Sequence, residues 1–219
     1  MPDSLPEGDE KVVAVRRMFD AIAPRYDLVN RIMTFRLDVR WRRVAVRSLA
    51  LRRGSVVLDL ACGTGDLCRE VDGAPMDAAG LVPIGVALSF GMLVAARTTA
   101  PLVQGDVLRL PVRDRSVDGA TCGFALRNLA ELPPFLRELA RVLRPGGRIA
   151  LLEVATPSNR LLRWGHGVYF GKVVPVIGGL ISDASAYRYL PRSVAYLPPP
   201  DELRGMVASA GFTNVDRRL

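Results

Sequence analysis

The chain is short of cysteine and histidine, and each shortage removes a class of function. Cys62, Cys68 and Cys122, with His166 as the one histidine, lack the spacing of a zinc site, so no metal centre is expected. Three cysteines also cannot close a disulfide framework, and a reducing cytoplasm fits them best. No apolar run approaches the ~20 residues a membrane-spanning helix needs. The most apolar stretch, Leu161 to Ile181, is broken by glycines and reads as a cap over the sheet edge. The opening MPDSLPEGDEK is polar and acidic where a secretory signal would be basic and then apolar.

What is present is an ordinary globular composition: 219 residues, 49% apolar and 24% charged. That suits a single domain, because domains typically run ~100–200 residues. Residues 1–10 read as a flexible tail and 11–219 as the domain. The formal charge of +8 is concentrated in front, where Lys11 and eleven arginines up to Arg53 face only Asp20, Asp27 and Asp38. Such asymmetry suits an anionic surface. Nucleic acid is disfavoured, since the segment has no zinc spacing, aromatic interleaving or RNA-binding signature. A lipid headgroup layer and a solvated arginine-rich face both remain.

The periodicity predicts helices over Lys11 to Ile22 and Val29 to Leu49, separated at Pro24. Strands are predicted at Val56 to Leu60, Val82 to Val86, Val117 to Cys122 and Ile149 to Val154, with a short extended stretch at Pro101 to Gln104. Glu131 to Leu143 is an amphipathic helix stopped by Pro145-Gly146-Gly147, and Tyr187 to Pro200 is a loop before a helix over Asp201 to Ser209. Strands alternating with helices imply an α/β fold with a mostly parallel sheet, whose ligands bind at the carboxyl ends of the strands.

The segment VVLDLACGTGDL, Val56 to Leu67, joins a strand to a helix through Gly63-Thr64-Gly65. Glycine permits the tight turn and close backbone approach that such cofactor loops use. A dinucleotide fingerprint would need glycine where Cys68 stands, and the G-K-[ST] of a phosphate loop is absent. Asp59 and Asp66 flank the turn and would repel a pyrophosphate, but they suit a ligand carrying an ammonium group. S-adenosyl-L-methionine has that charge and no phosphate. Asp106, after the extended stretch, can accept from an adenine amine or cap a helix.

These motifs, with GDVLRLPVRDRSVDGATC and RVLRPGGRIALLEV in order, resemble class I S-adenosylmethionine-dependent methyltransferases. MFDAIAPRYDLVNRIMTFRLDVRWRR, FALRNL and SAYRYLPRSV narrow the resemblance to the ubiquinone/menaquinone biosynthesis C-methyltransferases, over Val13 to Phe212. The resemblance implies a Rossmann-like fold with helices on both sheet faces, a helical lid (11–53), a cofactor-binding core (54–156) and a substrate cap (157–200). It implies cofactor contacts at Asp59, Ala61, Gly63, Thr64, Gly65, Leu88, Met92, Asp106, Val107 and Gly123. Arg127 and Asn128 are the implied catalytic pair, with Asp27 and Tyr26 of the lid as proton acceptors; His166 is left as structural. The implied substrate is a lipophilic quinol, a demethylmenaquinol-type reduced isoprenoid quinone. Its membrane-borne tail would give the basic helices a peripheral contact at the inner membrane face, and a homodimer is left open. Other readings are methylation of a different small aromatic or lipid, or a non-catalytic paralogue.

Two departures matter for cofactor binding. The family's second strand usually ends in an acid that binds the ribose hydroxyls, and Ala87 stands there, leaving Ser89 or a water to substitute. Gly123 stands where a serine is usual. The sequence also ends at Leu219, soon after AGF, where a final hairpin is usual, so a shortened sheet edge is expected.

Overall fold

The computed structural model describes residues 7–74, 80–154, 159, 164–165, 167, 169, 171, 174, 186, 189 and 192–218. The start of the tail, His166 and most of the predicted cap lie outside the described residues. Three helices lead: α1 (Gly8–Ile22), α2 (Tyr26–Met33) and α3 (Leu37–Ser48). Then follow β1 (Val56–Leu60), α4 (Asp66–Asp72), β2 (Val82–Ala87), α5 (Phe90–Val94), β3 (Leu102–Gln104), β4 (Val117–Gly123), α6 (Leu132–Val142), β5 (Leu143–Leu152) and α7 (Pro200–Ser209).

The five strands form one sheet in the order β3-β2-β1-β4-β5, all pairs parallel, so the expected α/β architecture is met. The order reverses at β1, whose neighbours are β2 on one side and β4 on the other. Ligand crevices of such sheets open outside the strand ends at this reversal. β3 and β5 are its edges among the described residues.

Alternation along β1 sets the two faces. Leu58 and Leu60 join Ala120 and Cys122 of β4 and pack against Phe135, Leu136 and Leu139 of α6 and Val207 of α7. Val57 points the other way, with Val46 of α3, Leu49 just past it, and Leu67 and Val71 of α4. Helices therefore cover both faces, as a parallel sheet requires. A separate apolar cluster ties the front to the core: Ile22, Val29 and Met33 pack with Met92 of α5.

The structure corrects two element boundaries. The single helix expected over Val29 to Leu49 is broken, because the Arg36 N–H closes back on the Arg31 carbonyl at 3.0 Å and Phe35 and Arg36 take positive φ. The Thr34 hydroxyl then donates to Asp38 Oδ1 at 2.6 Å within the first turn of α3. Likewise β5 starts at Leu143, well before Ile149, and Pro145-Gly146-Gly147 is absorbed as an irregularity between the Val117↔Leu143 and Gly119↔Arg148 pairs.

Phe135 is fully buried at the centre of the α6 face. Phe135→Ala is expected to cost about 3–5 kcal/mol in urea unfolding. A loss under about 1 kcal/mol would show that this face is not the main core.

Candidate active site

The carboxyl ends of β1 to β4 open into one cleft. Its floor is built from residues just past each strand: Ala61 and Gly63 after β1, Leu88 and Ser89 after β2, Asp106 and Val107 after β3, and Gly123, Phe124 and Ala125 at β4. Helix α1 forms a wall with Val12, Val15, Arg16 and Phe19, joined by Tyr26 of α2. The mostly apolar lining suits a small organic ligand.

The backbone is strained where the cleft is deepest. Ala61 (φ 51°) and Phe124 (φ 59°) sit in the left-handed region, which side chains seldom adopt and which clusters at functional sites. Gly63 (φ 57°) and Gly65 (φ 82°) carry the turn from β1 into α4. The Gly65 N–H closes this turn on the Cys62 carbonyl at 2.9 Å.

A charged network docks the front helices on that turn. Arg42, buried on the inner side of α3, pairs with Asp38 and reaches Asp66 of α4 at 3.2 Å. Asp66 also pairs with Arg69, and with Arg31 at 3.6 Å. The Thr64 hydroxyl donates to Asp27 Oδ1 at 2.5 Å, and Arg69 donates to the Thr64 carbonyl at 3.1 Å. Burial works against the Arg42 charge, but Asp66 and Asp38 outweigh it and raise its pKa. Burial likewise pushes Asp38 up, while hydrogen bonds from Thr34 and Arg42 outweigh it and hold the acid below the usual range.

Of the residues proposed from sequence, Ala61, Gly63, Leu88, Met92, Asp106, Val107, Gly123, Tyr26 and Asn128 line the cleft. Asp59, Thr64, Gly65, Asp27 and Arg127 do not. Asp59 is 1% exposed on the α4 side of β1, accepting from the Thr121 hydroxyl at 2.9 Å and the Cys68 thiol at 3.4 Å. The pair of carboxylates invoked to attract an ammonium group is thus spent on protein partners, Asp59 inside the sheet and Asp66 on arginines. Arg127 forms a buried ion pair with Glu153. The Asn128 Oδ1 is buried with no hydrogen-bond partner among the described residues. Burial raises the Tyr26 pKa, so its phenol stays a donor at neutral pH. Asp106 Oδ1 accepts the Leu108 N–H at 2.9 Å, closing a turn where a helix cap was expected, since no helix follows it.

Sequence reasoning missed the α1 wall, Phe124 and the partner of Arg127. Val12, Val15 and Phe19 were visible as a helical stripe, but a stripe does not say whether it covers a core or a cleft. Glu153 ends the RVLRPGGRIALLEV motif, yet its link to Arg127 is made only by the pairing of β4 with β5.

Solved structures with this architecture are S-adenosylmethionine-dependent methyltransferases and their kin. One from Thermotoga maritima superposes with a TM-score of 0.63 at 19% identity, covering 91% of this chain and 82% of its own. The [4+2]-cyclase SpnF gives 0.57 at 20% identity over 70% of this chain and 62% of its own. The fold is therefore the Rossmann-like fold of the class I methyltransferases. Residues 7–218 match the ubiE/COQ5 methyltransferase family. A demethylmenaquinone methyltransferase of Roseiflexus castenholzii is 42% identical over 98% of this chain and 92% of its own length. A ubiquinone/menaquinone biosynthesis C-methyltransferase of Syntrophotalea carbinolica is 43% identical over 93% of this chain and 87% of its own. The chain belongs to the ubiE/COQ5 methyltransferase family.

Burial pushes Asp59 up to about 7 from 3.8, against hydrogen bonds from Thr121 and Cys68 that lower it. Between these values the native state holds a proton the unfolded chain has released, so stability falls as pH rises from 3.8 to about 7 and is level above. At about 1.4 kcal/mol per pKa unit, the decline is roughly 4 kcal/mol. Asp59→Asn keeps an acceptor for Thr121 and removes the titration. Urea unfolding from pH 4.5 to 8 is expected to show a flattened profile; an unchanged decline would assign it to another group.

Proposed function

We propose that the protein methylates a ring carbon of a reduced isoprenoid quinone of the demethylmenaquinol type, using S-adenosyl-L-methionine. The observation that carries this reading is the mostly apolar cleft at the strand ends holding a buried, unpartnered Asn128 Oδ1, in a chain of this family. An amide oxygen without a partner costs free energy unless a ligand donor meets it. A hydroquinone hydroxyl is such a donor.

The residues at the cleft fit the cofactor. Leu88, Met92 and the Asp106-Val107 pair would hold the adenine between apolar surfaces, with Asp106 Oδ2 toward its amine. Ala61 and Gly63, backed by Thr64, Gly65 and Asp59, would hold the methionine end, with Gly123 at the cleft wall. When bound, the cofactor supplies a methyl group on a sulfonium, already a good leaving centre. The protein's own contribution is positioning and exclusion of water. Asn128 accepts from the quinol hydroxyl and fixes the ring; Arg127, neutralised by Glu153, supplies an oriented positive end behind it for the developing phenolate. Tyr26 serves as a hydrogen-bond donor, and Asp27, engaged by Thr64 and Arg69, becomes a proton acceptor only if that contact opens.

In this reading residues 11–53 are the lid, 54–156 the cofactor core and 157–200 the substrate cap. The lid also supports a peripheral membrane contact. Helix α3 buries Asp38 and Arg42 and exposes Leu37, Trp41 and Val44, ringed by exposed Arg36, Arg40, Arg43 and Arg47. Phe35, 75% exposed, tips the turn before it, and the Trp41 ring lies 6.4 Å from Phe124 of the cleft. An apolar strip framed by cations and leading to the cleft suits a quinol whose tail stays in an anionic bilayer at the inner membrane face. No described helix is long and apolar enough to cross that bilayer.

Calorimetric titration with S-adenosylhomocysteine is expected to give saturable binding, and no heat at millimolar ligand would refute the enzyme reading. Asn128→Ala is expected to lower kcat about 10- to 100-fold with the cofactor Kd unchanged. An unaltered kcat would remove Asn128 from the mechanism. On vesicles rich in anionic lipid, the wild type should sediment at low salt and an Arg36→Glu/Arg40→Glu/Arg43→Glu variant should not. Equal sedimentation of the two would dismiss the membrane face.

A further inference from the structure

In parallel-sheet nucleoside sites, a carboxylate about 20 residues beyond the glycine turn commonly receives the ribose hydroxyls, at the end of the second strand. Here β2 ends in Ala87, which is buried at the cleft wall and offers no acceptor. Two acceptors beside that strand end come from outside it: Ser89, and behind it Asp20 of α1, which does not itself line the cleft. Ser89, two residues on and 6% exposed, lines the cleft. Its hydroxyl donates to Asp20 Oδ1 of α1 at 2.6 Å and accepts the Met92 N–H at 3.1 Å. Asp20 Oδ1 also takes the Gly91 N–H at 2.9 Å.

This contact is built into the packing. A Cβ at Gly91 would lie 3.0 Å from the Asp20 Cα and 3.1 Å from its carbonyl oxygen, both backbone atoms, so only glycine lets α1 come this close. Asp20 is thereby held at the end of a strand 67 residues further along the chain, with one oxygen fully engaged. Its other oxygen, Oδ2, has only a long ion pair to Arg16 Nε, 3.9 Å, among the described residues. With both side chains a third or more exposed, that pair is weak and easily given up. Ser89 Oγ keeps one lone pair unused.

We propose that Asp20 and Ser89 together form the seat for the ribose cis-diol of the cofactor, a carboxylate brought by the lid replacing the one β2 lacks. A cis-diol presents two adjacent donors, and Asp20 Oδ2 and Ser89 Oγ present two adjacent acceptors linked through one hydrogen bond. The anionic oxygen also disfavours a ligand phosphorylated on the ribose. Because Asp20 stands on α1, the cofactor would itself hold the lid down, so cofactor binding and lid closure are coupled.

The inference rests on the S-adenosylmethionine reading, and its test separates the two. The wild type, Asp20→Asn and Asp20→Asn/Ala87→Asp are each titrated calorimetrically with S-adenosylhomocysteine and with its 2′-deoxy and 3′-deoxy analogues. The wild type is expected to prefer the ribonucleoside about 10- to 100-fold, the range for losing a hydrogen bond to a charged group. Asp20→Asn should erase that preference by weakening only the ribonucleoside, and the added Ala87→Asp should restore it. If Asp20→Asn weakens all three ligands alike, or none, Asp20 is merely a lid contact and the inference falls. Should Asp20→Asn fail to fold, Ser89→Ala must show the reduced preference, and an undiminished one overturns the proposal. No binding of any ligand by the wild type would instead refute the cofactor reading, and this inference with it.

Discussion

The buried guanidinium of Arg42, held between Asp38 and Asp66, is the constraint on which the site depends. It joins the lid to the first turn of α4, the helix that follows the glycine turn, and it does so with charges removed from water. A buried ion pair contributes little net stability, but removing one partner strands the other at a cost of about 3–5 kcal/mol. The network therefore favours one docking of the lid over nearby alternatives. It also explains why α3 is turned inside out. Placing Asp38 and Arg42 inward leaves Leu37, Trp41 and Val44 facing out, and Trp41 of that outward strip packs beside Phe124.

Around this anchor the cleft divides its labour by strand end. β1 contributes a strained backbone at Ala61 and the glycine turn, β3 contributes Asp106, and β4 contributes Phe124 and, through the following turn, Asn128. β2 itself ends in Ala87, and the polar groups beside it are Ser89, just past the strand, and Asp20 of α1, which the Ser89 hydroxyl and the Gly91 N–H hold there. The polar atoms of the site thus arrive from two sources, a rigid sheet and a docked lid.

Much of this was legible from residue order. The strands at Val56 and Val117, the glycine turn and the α6 stop are local patterns, and local patterns survive folding. The resemblance also named nine of the residues that line the cleft. What escaped was non-local. The charge argument at Asp59 and Asp66 assumed that carboxylates beside a turn face its ligand, whereas alternation on β1 turns Asp59 toward Cys68 and the lid supplies arginines to Asp66. The break at Phe35 and Arg36 escaped because the apolar period runs through it, and only the Thr34–Asp38 contact restarts the helix. Asp20 could not be linked to Ser89 before the packing of α1 on α5 was known.

The central claim is carbon methylation of a quinol, and product analysis tests it most directly. The purified protein, given chemically reduced demethylmenaquinone in detergent and S-adenosyl-L-methionine carrying a ¹³C methyl, should yield a product whose new methyl carbon shows the chemical shift of a ring-bound CH₃. A methyl signal at an oxygen-bound position, or label passing only to a different aromatic acceptor while the quinol stays unlabelled, would contradict the account.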